Sequence, residues 1–132
     1  MLLVVDTSAL VAVLVSEPQR SALVHATRGA ELVAPASVHW EVGNAMTALM
    51  KRRRINLSRA RKALTAYAAI PIRQVDVDLV MSIELAAKHD LYAYDAYLIS
   101  CALTMGAPLL TLDRGLERAA AEAGAQIFEV PA

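Results

Sequence analysis

The run Leu2-Leu3-Val4-Val5-Asp6-Thr7-Ser8 limits what this chain can fold into more than any other stretch. Four aliphatic residues without a polar interruption match a strand buried on both faces, as in a parallel sheet covered by helices. The run stops at a carboxylate and two hydroxyls. In an open α/β sheet, ligands bind in the crevice beyond the carboxyl ends of the strands. Asp6 is expected there.

Downstream, strand and helix patterns alternate. Ser8 to Val15 is apolar at helical density, and Glu17-Pro18 reads as the start of a second helix ending near Gly29. Glu31 to Ala34 is a short strand stopped by Pro35. Ser37 is a candidate N-cap for a helix to about Arg53, with Val38, Val42, Ala45, Met46 and Leu49 along one stripe. Asn56-Leu57-Ser58 turns the chain into a helix from Ser58 to Ala69, so the two form an antiparallel hairpin. Pro71 to Val75 is a third strand, and Asp76 or Asp78 starts a helix through His89. A largely buried helix spans Ala93 to Met105 and ends at Gly106. Ala107 to Leu112 is a strand ending at Asp113, Gly115 to Ala123 a helix, and Gln126 to Val130 a last strand. The pattern predicts a three-layer α/β/α sandwich on a central parallel sheet, plus the helical hairpin, as one domain over residues 1–132.

Composition narrows the partners. With 57% hydrophobic residues in a chain of 132, there is more apolar surface than so small a core uses, which favours a subunit or partner interface. The formal charge is zero, yet its distribution is uneven. No acidic residue occurs between Glu41 and Asp76, a stretch that holds Lys51, Arg52, Arg53, Arg54, Arg59, Arg61, Lys62 and Arg73. The Lys51–Arg54 run closes a helix, where cations complement the dipole, and it also suits contact with RNA phosphates or an acidic partner segment. The single Cys101 rules out an internal disulfide and a multi-cysteine zinc site. Met1 to Val15 lacks a basic start and carries Asp6, so neither a signal peptide nor a membrane span is expected. A soluble, cytoplasmic protein is.

Four carboxylates carry the chemistry. Asp6 and Asp113 stand at strand ends; Glu41 lies one turn after Ser37, and Asp95 just after the His89-Asp90 loop. Helix N-termini share an edge with the strand ends that feed them, so all four can converge. Clustered carboxylates stay ionised only if something offsets their repulsion. A hard divalent cation does so, and magnesium prefers oxygen ligands with several waters retained. Tyr92, Tyr94 and Tyr97 surround Asp95 and could stack on a base; His39, with Trp40, adjoins Glu41.

Taken together, Val4-Val5-Asp6-Thr7-Ser8-Ala9-Leu10, Glu41-Val42-Gly43-Asn44, Tyr94-Asp95-Ala96-Tyr97-Leu98 and Leu110-Thr111-Leu112-Asp113 resemble the PIN domain, and more narrowly the VapC ribonuclease toxins of toxin–antitoxin pairs. The resemblance implies an RNA endonuclease dependent on Mg2+ or Mn2+. Asp6, Glu41, Asp95 and Asp113 match the acidic quartet, as catalytic groups and metal ligands. Thr7, Ser8, Asn44 and Thr111 match nearby polar positions. It also implies a cognate antitoxin and a homodimer. Tyr92 departs from the pattern, since relatives often have a small hydroxyl residue capping that helix. Asp90 reads as a cap rather than a ligand.

Two other readings are weighed. A catalytically silent PIN-like module would bind RNA or protein without cutting, but normally lacks one of the acids. A different Rossmann-like enzyme would want G-x-G-x-x-G or G-x-x-x-x-G-K-[ST], and neither is present.

Overall fold

Leu2–Val5 forms strand β1 in the computed structural model, which describes residues 1–131. Leu3, Val4 and Val5 are fully enclosed, as a strand covered on both faces requires. Helix α1 (Thr7–Leu14) follows at once, because Asp6 caps it: its Oδ1 accepts from the Ala9 N–H at 3.2 Å. Then come α2 (Arg20–Ala26), β2 (Glu31–Pro35), α3 (Ser37–Lys51), α4 (Leu57–Ala69) and β3 (Ile72–Val75). The second half holds α5 (Leu79–His89), α6 (Ala93–Met105), β4 (Leu109–Leu110) and α7 (Arg114–Glu122).

The sheet order is β3-β2-β1-β4, with every pairing parallel. The chain steps from β1 outward to β2 and β3, then returns to place β4 on the other side of β1. The switch point therefore lies between β1 and β4, and in such sheets that is where a ligand crevice opens. Helix α6 packs on β1, β2 and β4 and carries α5, while α1 bundles with α2, α3 and α4. Helix α6 buries Ala96, Leu98, Ile99, Ser100, Cys101 and Ala102, so it is enclosed on most sides and accounts for Asp95 being partly sunk. The α3–α4 hairpin has its own small core of Met46, Leu49, Ile55, Ala60 and Ala63.

Several boundaries differ from expectation, each for a local reason. Ser37 does not cap α3; Ala36 occupies that position without a side-chain bond, and Ser37 is the first helical residue. Helix α4 starts one residue early, at Leu57, because Asn56 caps it, its Oδ1 accepting from the Arg59 N–H at 2.9 Å. Of the two starts expected for α5, Asp76 or Asp78, Asp78 is the cap, as its Oδ1 accepts from the Met81 N–H. Helix α2 begins at Arg20, three residues beyond Glu17. The expected strand 107–112 shrinks to two residues. Pro108 has no N–H to give, while the Leu112 N–H goes to Ser8 Oγ (2.9 Å) and the Asp113 N–H to Thr111 Oγ1 (3.0 Å), so side chains end the ladder. The expected final strand is reduced to one parallel bridge, Ile127 to Leu109. With β4 so short, its far edge accommodates no more.

Asp90 ends α5 in the left-handed conformation (φ 55°), and Gly106 does the same for α6 (φ 60°). Among the described residues, no helix is long and apolar enough to cross a membrane.

Candidate active site at the β1–β4 switch point

Asp6 leaves β1 pointing into a cage of donors. Ser8 Oγ donates to its Oδ1 and Thr111 Oγ1 to its Oδ2, both at 2.5 Å. Asp6 is only 4% exposed. Burial pushes its pKa up, and the Ser8 and Thr111 hydroxyls and the Ala9 N–H push back. Ser8 and Thr111 thus do more than line the site: they hold Asp6 in one rotamer and accept the N–H groups of residues 112 and 113.

Asp113 begins α7. Its Oδ1 takes the N–H groups of Gly115 (2.9 Å) and Leu116 (3.1 Å), and the residue is exposed, with no hydrogen bond to its second oxygen among the described residues. A Cβ on Gly115 would come within 3.3 Å of that Oδ1, so the small residue lets the cap form. Asp95 lies in the first turn of α6, behind Tyr92, which caps nothing with its side chain. Glu41 sits just past the first turn of α3.

Neighbouring carboxylates act on two of these acids, Glu41 and Asp95. Burial, then Asp6 and Asp95, raise Glu41 from 4.5 to about 7. Ser37, one turn earlier, tempers this, although its hydroxyl and Glu41 Oε2 fall outside hydrogen-bond geometry. Burial, then Asp113 and Asp6, raise Asp95. The N-termini of α1, α3, α6 and α7 all face this edge, and their partial positive charge offsets part of the repulsion. Three buried oxygens here, Thr7 Oγ1, Ser37 Oγ and Glu41 Oε2, have no partner among the described residues. Unmet buried polar groups cost about 1–3 kcal/mol each, so an outside partner is favoured. Among the described residues, no three His, Cys, Asp or Glu side chains are arranged to hold one metal ion by themselves.

One groove includes Glu41 and a second runs past Thr111. The first, of about 520 Å3, is lined by Thr7, Trp40, Glu41, Asn44, Ala45 and Tyr94. The second, of about 850 Å3, includes Thr111 and two charges of each sign, Arg114 and Arg118 with Glu117 and Glu129. Trp40, Arg114 and Arg118 are the neighbours that sequence reasoning left without a site role; adjacency to Glu41 and Asp113 was the available signal. Asn44, exposed, lines the first groove as its position near Glu41 suggested. The Lys51–Arg54 run is elsewhere. It lies at the far end of α3, roughly 15 Å along the axis from Glu41 at 1.5 Å per residue. There Arg54 pairs with Glu17 at 3.4 Å. His39 also turns away, its Nδ1 3.3 Å from the Tyr67 hydroxyl. Cys101 is buried, and burial pushes its thiol up to about 11, as befits an inert packing residue.

A four-stranded, all-parallel sheet covered by helices on both faces defines an α/β protein. The pattern of the PIN domain matches residues 3–122, and the chain belongs to that family. No curated protein sequence matches it. Among solved structures, PAE2754 from Pyrobaculum aerophilum superposes with a TM-score of 0.68 at 21% identity, covering 89% of this chain and 78% of that one. VapBC2 from Rickettsia felis, bound to a DNA fragment from its promoter, gives 0.68 at 14% identity, covering 98% of each chain. Mycobacterium tuberculosis VapC20, described as a Sarcin-Ricin loop cleaving toxin, gives 0.68 at 18%, covering 98% of this chain and 99% of its own. At these identities the likeness is one of fold.

Proposed function

We propose that this chain is a metal-dependent endoribonuclease of the VapC toxin type, hydrolysing RNA phosphodiester bonds at its acidic cluster. What supports the reading is the charge of Asp6 and Asp95 reaching Glu41 and that of Asp113 and Asp6 reaching Asp95, side chains that come from separate elements of the fold. Fold likeness to VapC20, a cleaving toxin by its description, supports it.

The donor set fits Mg2+, with Mn2+ as substitute. It offers only oxygens, three of them buried without partners among the described residues, and carboxylates whose repulsion a cation would relieve. Asp6 and Asp95 are the preferred direct ligands, with Glu41 and Asp113 acting directly or through water. Bound there, the ion would neutralise charge at the scissile phosphate and lower the pKa of an attacking water. The chain's own residues do the rest. Ser8 and Thr111 fix the Asp6 carboxylate. Glu41, with a pKa of about 7, can take up or release a proton at Oε2 near neutral pH. Arg114 and Arg118 offer cations to flanking phosphates. In-line attack by water would leave a 5′-phosphate and a 3′-hydroxyl.

Partners follow from the same reading: a cognate antitoxin and a second copy of the chain, in the cytoplasm with the RNA substrate. VapBC2 as a structural neighbour supports the antitoxin, and the exposed Leu79, Val80 and Ile83 on α5 supply apolar surface for an interface.

A catalytically silent RNA- or protein-binding module is the second reading, favoured by the spacing of the acids, no three of which are arranged around one ion. Incubating the partner-free chain with structured RNAs separates the two. Cleavage in Mg2+ that disappears in EDTA and in Asp6→Asn is expected. Cleavage unchanged by either treatment removes the metal-site reading, and binding without cutting in Mn2+ favours the silent module.

A further inference from the structure

The groove beside Glu41 has features the acidic cluster does not account for. Trp40 is 76% exposed and Tyr94 56% exposed, although both are large aromatic residues in a chain that encloses most of its aliphatic ones. They come from different helices, α3 and α6, and line the same groove of about 520 Å3. That lies within the roughly 300–1,000 Å3 typical of small-ligand sites. Each ring is braced. His39 packs against Trp40 in a T-shaped contact at 4.8 Å, and His39 is itself held by Tyr67. Tyr97 packs T-shaped against Tyr94 at 5.8 Å. Rings already ordered lose less freedom when a ligand arrives.

The lining between them is polar. Thr7 and Asn44 share the groove with Glu41 itself. The Asn44 amide can both donate and accept, as the edge of a nucleobase demands. An aliphatic protein side chain would use neither the aromatic faces nor the amide as well.

The geometry points to this groove as a base-binding subsite: an unpaired nucleobase of the RNA stacks against Trp40 and Tyr94 and meets Asn44 at its edge. Its sugar–phosphate is thereby led to the acids at Glu41. The inference deepens the nuclease reading and rests on it, and it assigns Trp40, Tyr94 and Asn44 as the side chains that hold one unpaired nucleobase of the RNA. Duplex RNA keeps its bases stacked on one another and leaves the groove empty.

Trp40 is the chain's sole tryptophan, so its fluorescence reports the groove directly. The test titrates the full chain, in EDTA, with a short single-stranded RNA and with the same sequence as a duplex. Saturable quenching by the single strand and little by the duplex is expected. Affinities of the variants are read by anisotropy of the end-labelled RNA, since Trp40 substitutions remove the fluorophore: Trp40→Ala should weaken single-strand binding roughly five- to hundred-fold, and Tyr94→Ala comparably, with its Trp40 quenching shifted to higher RNA concentration. Trp40→Phe should recover most of the affinity. Because both residues are exposed, these variants fold. Single-strand affinity unchanged in Trp40→Ala and Tyr94→Ala overturns the proposal, as does equal quenching by the duplex or no quenching at all. Cleavage in Mg2+ is followed in parallel. Intact cleavage with no stacking sinks the subsite alone, whereas stacking without cleavage sinks the nuclease reading alone.

Discussion

Thr111 Oγ1 donates to Asp6 Oδ2 across 105 positions of sequence, tying the end of β4 to the end of β1. The same oxygen accepts the Asp113 N–H at 3.0 Å. One hydroxyl thus sets the rotamer of the most buried acid and the entry of the chain into the helix that Asp113 caps. Ser8 makes the matching pair of bonds from the β1 side, to Asp6 and from the Leu112 N–H.

Replacing Thr111 by Val keeps the volume and removes the hydroxyl. The Asp6 oxygen and the Asp113 N–H are then left unmet, so Thr111→Val should cost about 1–3 kcal/mol of stability. Loss of a supporting partner of this kind should also weaken cation affinity by about 10–100-fold. Denaturant melts and Mn2+ titration check the two halves separately. Wild-type values in both would mean that the bond is incidental.

Asp6→Asn removes a buried charge without removing bulk. The fold should survive, while cation-dependent RNA cleavage falls by at least the 10–100-fold seen when outer partners of a metal site are lost. Circular dichroism and a cleavage assay on the same sample decide this. Retained cutting in a folded variant would put the chemistry elsewhere.

Stability of the metal-free chain should depend on pH through Glu41. Burial, with Asp6 and Asp95 nearby, lifts this group from 4.5 to about 7. The folded chain therefore holds the proton to higher pH than the unfolded chain does. The resulting stabilisation is complete below about pH 4.5 and is lost as pH rises through about 7. In EDTA, the melting temperature should fall across that window more steeply than in Glu41→Gln. Asp6 and Asp95, also raised, act in the same direction. Added Mn2+ should restore stability increasingly as pH rises, since ligands must lose their protons to bind. A wild-type profile identical to that of Glu41→Gln would remove the buried acid from the account.

The basic run on the hairpin should act on binding and not on chemistry. Changing Lys51, Arg52, Arg53 and Arg54 to Ala leaves the acids untouched, roughly 15 Å away along α3. Cleavage of a short oligonucleotide should be unaffected. Binding of long single-stranded RNA should lose about 0.7 of log–log salt slope for each phosphate contact removed. An unchanged slope would assign these residues to a protein partner or to solvent.

Much of this molecule was legible one stretch at a time. The aliphatic run before Asp6, Pro35 closing β2 and Gly106 ending α6 work through neighbours a few residues away, so the parallel α/β layout followed from pattern alone. So did the nomination of Asp6, Glu41, Asp95 and Asp113, because strand ends and helix starts of such a sheet share an edge. Tertiary structure decided what depends on distant chain. Side-chain acceptors at Ser8 and Thr111 cut β4 to two residues, and Val75 pairs back to the Ala36 N–H at the start of α3, where Ser37 had been expected to cap. The placement of β4 beside β1 turned Thr111 from a nearby polar residue into the partner of Asp6. The meeting of α3 with α6 put Trp40 and Tyr94 on one groove, and the length of α3 carried the arginines away from it. Local hydrogen bonding and hydrophobic period are written into short windows; which side chains share a crevice depends on the crossover that returns the chain past its own first strand.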